Sequence, residues 1–237
     1  MSRDAFRSLV REAAARYPAG DRFARHFAAG KLGRDPVFRY LLEEGLLKDA
    51  SRIVDIGCGQ GVLAALILAA QERRDAGTWP AAWPAPPQIV DFHGIDIAAK
   101  DIDRARAAMG PRARFTVGDM RAEPFGPADA VVILDVLHYV DYAAQDEVLR
   151  RVRAAIGDSG RLLLRVGARS DSLRFRYTEW VDRIVMRVRG HRLERLYCRT
   201  IPEWLAALEQ VGLRARAVPM SEGTGFANVL LVAQPSG

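Results

Sequence analysis

Cysteine and lysine are nearly missing from this chain. Among its 237 residues only Cys58 and Cys198 are cysteines, far apart in sequence, so neither a disulfide framework nor a thiolate metal site is suggested. No apolar stretch approaches the roughly 18 uninterrupted residues of a bilayer-crossing helix, and no membrane span is expected. The opening MSRDAFRSLVREAAARYP alternates charged and apolar residues and lacks both an apolar h-region and a small-residue cleavage site. No secretory signal is therefore read, and a cytoplasmic location is the expectation. Internal repeats are absent as well. Lysine stands only at positions 31, 48 and 100, so nearly all the positive charge behind the net +6 is arginine. Such a balance suits nucleic acid, a membrane surface or an acidic protein partner. Because alanine is abundant too, the simpler account is a compositional bias carried on a solvated surface.

Hydrophobic residues make up 49% of the sequence, enough for one well-buried domain of this length. The chain is organised around residues 53–61, Ile53-Val54-Asp55-Ile56-Gly57-Cys58-Gly59-Gln60-Gly61, with the apolar run Val62–Ala70 directly behind. A short β-branched strand ends in three alternating glycines and turns straight into a helix. Glycine there permits positive φ and close approach of a ligand to the backbone, and the helix behind brings unpaired N–H groups. The third glycine comes one residue earlier than in a dinucleotide fingerprint, and Asp55 just before the loop would repel a phosphate and suits a cation.

Ahead of this cradle, apolar residues at helical spacing predict helices over 2–18 and 21–32, and a third over Pro36–Leu47 with Asp35 as its N-cap. Behind it, GTWPAAWPAPP (77–87) is a loop insertion, since four prolines remove donors and fix φ. Trp79 and Trp83 on it either pack back on the fold, the favoured reading, or face a partner. A second strand, Ile89–Asp96, leads to a helix over 98–109. Asp96 at the strand end can accept both hydroxyls of a ribose or cap the helix. It lies 35 positions beyond Gly61, and the proline-rich insertion accounts for the excess over the roughly 20 of a compact βαβ unit.

A third strand (113–117) runs into Gly118-Asp119-Met120-Arg121. A fourth, Ala130–Leu134, is apolar throughout, as suits a strand covered on both faces, and ends in Asp135-Val136-Leu137-His138-Tyr139. Ligands of open α/β sheets lie beyond the carboxyl ends of the strands, which makes His138 and Tyr139 the candidates for chemistry. A histidine there can act as a base near neutral pH, or simply fill space and hydrogen-bond. A helix (143–156), a fifth strand (161–166), a helix (201–211) and strands over 213–219 and 226–233 follow, the last two joined by Ser221–Gly225. Between them, residues 173–188 carry Leu173, Tyr177, Trp180, Val181, Ile184, Val185 and Val188 on one helical face and arginines mostly on the other. The βα alternation predicts a Rossmann-like, doubly wound α/β sheet.

The Asp55-to-Gly61 segment, with Asp96, Gly118-Asp119 and the strand-four terminus in order, resembles the class I S-adenosylmethionine-dependent methyltransferases. The resemblance covers about residues 50–234 and implies seven strands, mostly parallel, with an antiparallel last strand. It implies a single domain: a helical cap at 1–49, a cofactor-binding core at 50–166, a substrate-side helical insertion at 167–200 and a C-terminal helix and strand pair at 201–237. The implied cofactor residues are Asp55, Gly57, Cys58, Gly59, Gly61, Asp96, Ile97, Asp119, Met120 and Asp135, with Asp119 on the adenine amino group. Phe23, Phe27 and Tyr40 are lid residues by this resemblance and core residues by burial preference alone.

Base N-methylases of the superfamily carry Asn-Pro-Pro-aromatic after strand four, where this chain has Asp135-Val136-Leu137-His138. Metal-dependent catechol-type enzymes place Asp-Asn near the end of strand five, where this chain has Gly167-Ala168-Arg169-Ser170, so no metal is expected. The expectation is methylation at oxygen or carbon of a small or lipid-like acceptor, free or presented by an acidic carrier protein, with no stable nucleic acid partner. An RNA methyltransferase and a nicotinamide-dependent oxidoreductase remain as alternatives.

Overall fold

The computed structural model describes residues 3–167, 196–220 and 228–237. Seven strands form one sheet: β1 (Arg52–Ile56), β2 (Asp91–Asp96), β3 (Arg114–Val117), β4 (Ala130–Leu134), β5 (Arg161–Gly167), β6 (Leu213–Pro219) and β7 (Asn228–Pro235). Their spatial order is β3-β2-β1-β4-β5-β7-β6. The first five strands run parallel, and β7 enters antiparallel between β5 and β6. The seven-stranded, doubly wound sheet with an antiparallel last strand is thus as the sequence implied. The chain winds outward from β1 to β3 and then returns to β4 beside β1, so the switch point, beyond whose carboxyl-terminal strand ends open α/β sheets bind ligands, lies between β1 and β4.

Strand side chains alternate between two apolar layers. Ile53, Phe92, Val132 and Leu163 join the layer that includes α1 (Arg3–Ala15), α2 (Arg22–Arg34), α3 (Pro36–Glu43), α4 (Val62–Asp75) and α5 (Ala99–Met109). Val54, Ile95, Val131 and Leu164 join the opposite layer, against α6 (Tyr142–Ile156) and α7 (Ile201–Gln210). Helix α4 is buried along Val62–Ala70 because α1 covers the side turned away from the sheet. Trp83 is buried and meets Trp79 edge to face at 4.8 Å, with the Trp79 indole N–H donating to the Pro84 carbonyl at 3.1 Å. The proline-rich insertion therefore packs back on the fold.

Helix starts follow side-chain capping. Asp21 accepts the Ala24 N–H at 2.9 Å, Asp35 accepts that of Val37 at 3.2 Å, and Asp141 accepts that of Ala144 at 2.8 Å. Thr200 and Glu203 form a reciprocal capping box on α7. The third helix stops at Glu43 rather than Leu47: the Leu46 N–H reaches back to the Leu41 carbonyl at 3.0 Å, and Gly45 at φ +58° ends the helix. The expected helix over 173–188 and the connection Ser221–Gly225 lie outside the described residues, as does most of the expected insertion 167–200.

Candidate active site

The loop after β1 is tied to the end of β2. Gly57 and Cys58 both donate their N–H to the Ile95 carbonyl, at 2.8 and 3.2 Å; Gly59 donates to the Asp96 carboxylate at 2.8 Å, and Gly61 to the Cys58 carbonyl at 2.9 Å. These amides bond inside the protein, so the loop offers a ligand close approach rather than a ring of free donors. Two glycines show why. Gly57 sits at φ +77°, and a β-carbon there would fall 2.4 Å from a Val136 methyl. Gly59 sits at φ +53° with nothing within 4 Å of a β-carbon's place, so its bare backbone faces open space. Cys58 is buried, turns its thiol toward the core layer, and burial raises its pKa.

Asp55 is 4% exposed, and among the described residues its carboxylate makes no hydrogen bond or ion pair. Burial, and then the charge of Asp96, push its pKa up to about 8. A buried anion is costly unless a cation or donors compensate it, so Asp55 has the character of a group that awaits a positive ligand. Asp96 has two tasks already, accepting the Gly59 N–H on one oxygen and the Ala98 N–H on the other, each at 2.8 Å. Its carbonyl accepts the Gly118 N–H at 3.0 Å, which locks the end of β3 to the same point. The next residue, Ile97, is 55% exposed beside it.

After β3, Asp119 is engaged by Arg121, whose Nε lies 3.0 and 2.9 Å from the two carboxylate oxygens and whose backbone N–H donates at 2.8 Å. This pair holds the Asp119 pKa below the usual range. Met120 packs its side chain against the second core layer while its carbonyl accepts from Arg151 at 2.8 Å.

The end of β4 carries the sharpest backbone feature. Asp135 takes φ +61°, the one non-glycine residue with positive φ among the described residues. The Nε of Arg165, from β5, donates to its carboxylate at 2.8 Å, with a second bond from Nη2 to the other oxygen. The same guanidinium binds Asp35 at the α2–α3 junction, Nη2 to Oδ2 at 2.7 Å and Nη1 to Oδ1, and Lys31 Nζ stands 2.9 Å from Asp35 and 3.7 Å from Asp135. Two cations and two carboxylates leave this cluster neutral. Burial alone would raise the Asp35 pKa, but Arg165 and Lys31 hold it down at about 2, and the same two cations lower that of Asp135.

His138 and Tyr139 lie on the 3-10 turn Leu137–Tyr139, their rings 4.3 Å apart and edge to face. His138 is buried, and its carbonyl accepts the Tyr197 N–H at 2.9 Å, which brings residues 196–200 against the turn. Burial lowers the imidazole pKa to about 4 against the opposing charge of Asp135, so the ring is neutral at physiological pH.

The N-terminal helices reach this same edge of the sheet. Gln60, inside the glycine loop, is buried; its Nε2 donates to the Ala24 carbonyl of α2 at 2.8 Å, and its carbonyl accepts the Tyr17 hydroxyl at 2.9 Å. Burial raises the Tyr17 pKa further above its ordinary value. Helix α2 crosses from Arg104 of α5, bound by Asp21 at 2.9 Å, over the loop and on to Asp135 through Lys31. On it Phe23 and Phe27 stack at 6.1 Å and stay exposed, Phe23 at 61% with the Arg104 guanidinium over its ring, whereas Tyr40 packs partly buried against the core. The core reading of the two phenylalanines thus fails, because Ala24, Ala28 and Leu32 occupy the buried face of α2.

Asp55, Gly57, Cys58, Gly59, Gly61, Asp96, Ile97, Asp119, Met120, Asp135, His138 and Tyr139 are thus all at or just beyond the carboxyl ends of β1 to β4. Sequence reasoning missed Tyr17, Gln60, Lys31 and Arg165, and read Asp35 only as a cap. Arg165 had a signal: an arginine inside the apolar run Leu162–Val166 is too costly to bury without partners.

A family model described as a methyltransferase domain matches residues 22–218. This chain belongs to the class I S-adenosylmethionine-dependent methyltransferases. It is 35% identical over 112 residues to acetylserotonin O-methyltransferase of Mus musculus, a match over 47% of this chain and 27% of that protein. The chain thus spans well under half of the curated relative it matches. Among solved structures it is similar to an O-methyltransferase family protein from Burkholderia thailandensis, with TM-score 0.63 and 20% identity over 92% of this chain and 61% of that one. It also resembles magnesium protoporphyrin IX methyltransferase from Synechocystis with bound S-adenosylhomocysteine, with TM-score 0.59 and 20% identity over 99% and 98% of the two chains. At these identities the structural likeness speaks for the fold.

Proposed function

We propose that this chain transfers the methyl group of S-adenosylmethionine to an oxygen of a small-molecule acceptor. The observation that carries the reading is Asp55: a buried carboxylate with no cation of its own, beside a glycine loop whose backbone is open at Gly59. A ligand with an ammonium group at one end compensates that charge, and a dinucleotide, with its phosphates, does not.

In this reading Asp55 holds the amino acid end and Asp96 the ribose hydroxyls. Ile97 flanks the adenine, a ring nitrogen of which meets the Met120 backbone N–H, and whose amino group meets Asp119 once Arg121 yields; the exposed Asp119–Arg121 pair costs only about 0–1 kcal/mol to open. S-adenosylmethionine, when bound, supplies a methyl group on a sulfonium whose leaving group is a neutral thioether. Residues of the chain therefore have to align the acceptor, exclude water and take up one proton. His138 is the proton acceptor for a hydroxyl, its neutral ring ready across the physiological range, and Tyr139 beside it borders the acceptor. His138 gains a positive charge as the sulfonium charge disappears, so the net charge of the site stays constant and the imidazolium's desolvation cost is offset.

The O-methyltransferase names of the mouse relative and of the Burkholderia structure support oxygen as the acceptor atom. The test is transfer of labelled methyl from S-adenosylmethionine to a metabolite extract and to hydroxylated aromatics, N-acetylserotonin among them. Label appearing only in RNA, with salt-dependent RNA binding, would replace this reading with nucleic acid methylation. Nicotinamide cofactor binding without affinity for S-adenosylhomocysteine would remove it altogether.

A further inference from the structure

We propose that Arg165 is a positioning residue of the glycine loop, which it controls from both sides through Asp135 and Asp35. The inference rests on the cofactor reading above. Its first arm runs along the sheet edge. Asp135 holds φ +61°, a conformation that a residue with a β-carbon keeps only when its surroundings over-determine it. Here the surroundings are Arg165, which binds the Asp135 carboxylate through two nitrogens and accepts the Asp135 N–H on its carbonyl at 3.2 Å. The bend aims the chain so that Val136 lies directly on Gly57, close enough that a β-carbon on Gly57 would collide with it. Gly57 is therefore pressed into place by the residue that follows the held one.

The second arm runs through the cap. The other side of the guanidinium grips Asp35 at the end of α2, and Lys31 of the same helix closes the cluster. This fixes α2 across the carboxyl edge of the sheet, where the Ala24 carbonyl holds Gln60 of the loop. One guanidinium, 1% exposed, thus fixes both walls of the loop, and its burial makes the arrangement all-or-none: a lost partner leaves an uncompensated buried charge rather than a solvated one.

The experiment is calorimetric binding of S-adenosylhomocysteine to the full chain as wild type, Arg165→Lys and Asp35→Asn, at a temperature where circular dichroism shows each one folded. Thermal unfolding without ligand is recorded beside it. Lysine keeps the charge but cannot bridge two carboxylates bidentately, and asparagine keeps the shape at 35 but not the charge. Both variants are expected to bind at least tenfold more weakly than wild type, beyond any drop in melting temperature. Should Arg165→Lys not fold, Asp35→Asn, which leaves the Arg165–Asp135 pair intact, decides alone. Affinities within threefold of wild type alongside lowered melting temperatures would overturn the proposal and leave the cluster a purely structural one. Absence of binding by the wild-type chain itself would overturn the cofactor reading, and the role of Arg165 with it.

Discussion

Asp55 should make this protein less stable without its ligand, and replacing it should show how much. Its carboxyl is pushed from an ordinary 3.8 to about 8 by burial and by the charge of Asp96. A carboxyl raised on folding holds its proton in the native state while the unfolded chain has released it, so stability falls as pH climbs from about 4 to about 8 and levels off above. Between the ordinary 3.8 and pH 7 lie about three pH units, and at 1.36 kcal/mol per unit the burden at pH 7 is about 4 kcal/mol, with relaxation and water entry reducing it toward about 2. Asp55→Asn removes the titration at nearly constant shape. Urea unfolding at pH 4, 7 and 8.5 should find the variant more stable than wild type by about 2 to 4 kcal/mol at the two higher values and similar at pH 4.

Binding should run the other way. An ammonium group drawn to Asp55 expels its proton, so S-adenosylhomocysteine binding near pH 6.5 should release close to one proton, visible as a dependence of calorimetric heat on buffer ionisation enthalpy. Asp55→Asn should release none and bind at least tenfold more weakly. If the variant is no more stable than wild type at pH 8.5, or binds with wild-type affinity, the charge of Asp55 is neither a burden nor a ligand contact, and the argument fails. The expected pattern is the usual exchange of stability for function at a site held ready for its ligand.

Asp96→Ala should weaken S-adenosylhomocysteine binding by about 1 to 3 kcal/mol, since it removes hydroxyl acceptors and frees the Gly59 amide; unchanged calorimetric affinity would count against the ribose assignment. Gly57→Ala should destabilise by more than about 1 kcal/mol in urea, because it combines φ +77° with a 2.4 Å approach to Val136. With an acceptor from the screen, wild-type turnover should be flat with pH from 6 to 8, because an imidazole with a pKa near 4 is already deprotonated there; an inflection near 6.5 would contradict this. His138→Ala should keep cofactor affinity and lose turnover by about 10²-fold or more. Tyr17→Phe should cost about 1 kcal/mol of stability by leaving the buried Gln60 carbonyl without its hydroxyl partner, measured by thermal unfolding.

Much of the fold was legible in the chain because its signals are local. Strand β4 spans Ala130–Leu134 as expected, since an unbroken apolar run has one good solution in a sheet covered on both faces. Asp21, Asp35 and Asp141 open helices by accepting backbone N–H groups two or three residues on, an interaction within one turn. The glycines of 57–61 marked the cradle because few other residues take those φ values. What the chain could not display was the state of each carboxylate. Asp55, Asp119 and Asp135 are the same residue type along one edge of the sheet, at the ends of β1, β3 and β4, yet the first is held largely protonated, the second pairs with Arg121 two residues away, and the third is held by Arg165 thirty residues on.

The sequence by itself therefore determined the order of strands and helices, the cradle and the edge on which its acids lie, through period, turn chemistry and capping. Only the tertiary structure decided which of those acids is buried without a cation of its own. A carboxylate's charge depends on burial and on cations brought from distant parts of the chain: Asp35 and Arg165 stand 130 positions apart and meet at one guanidinium.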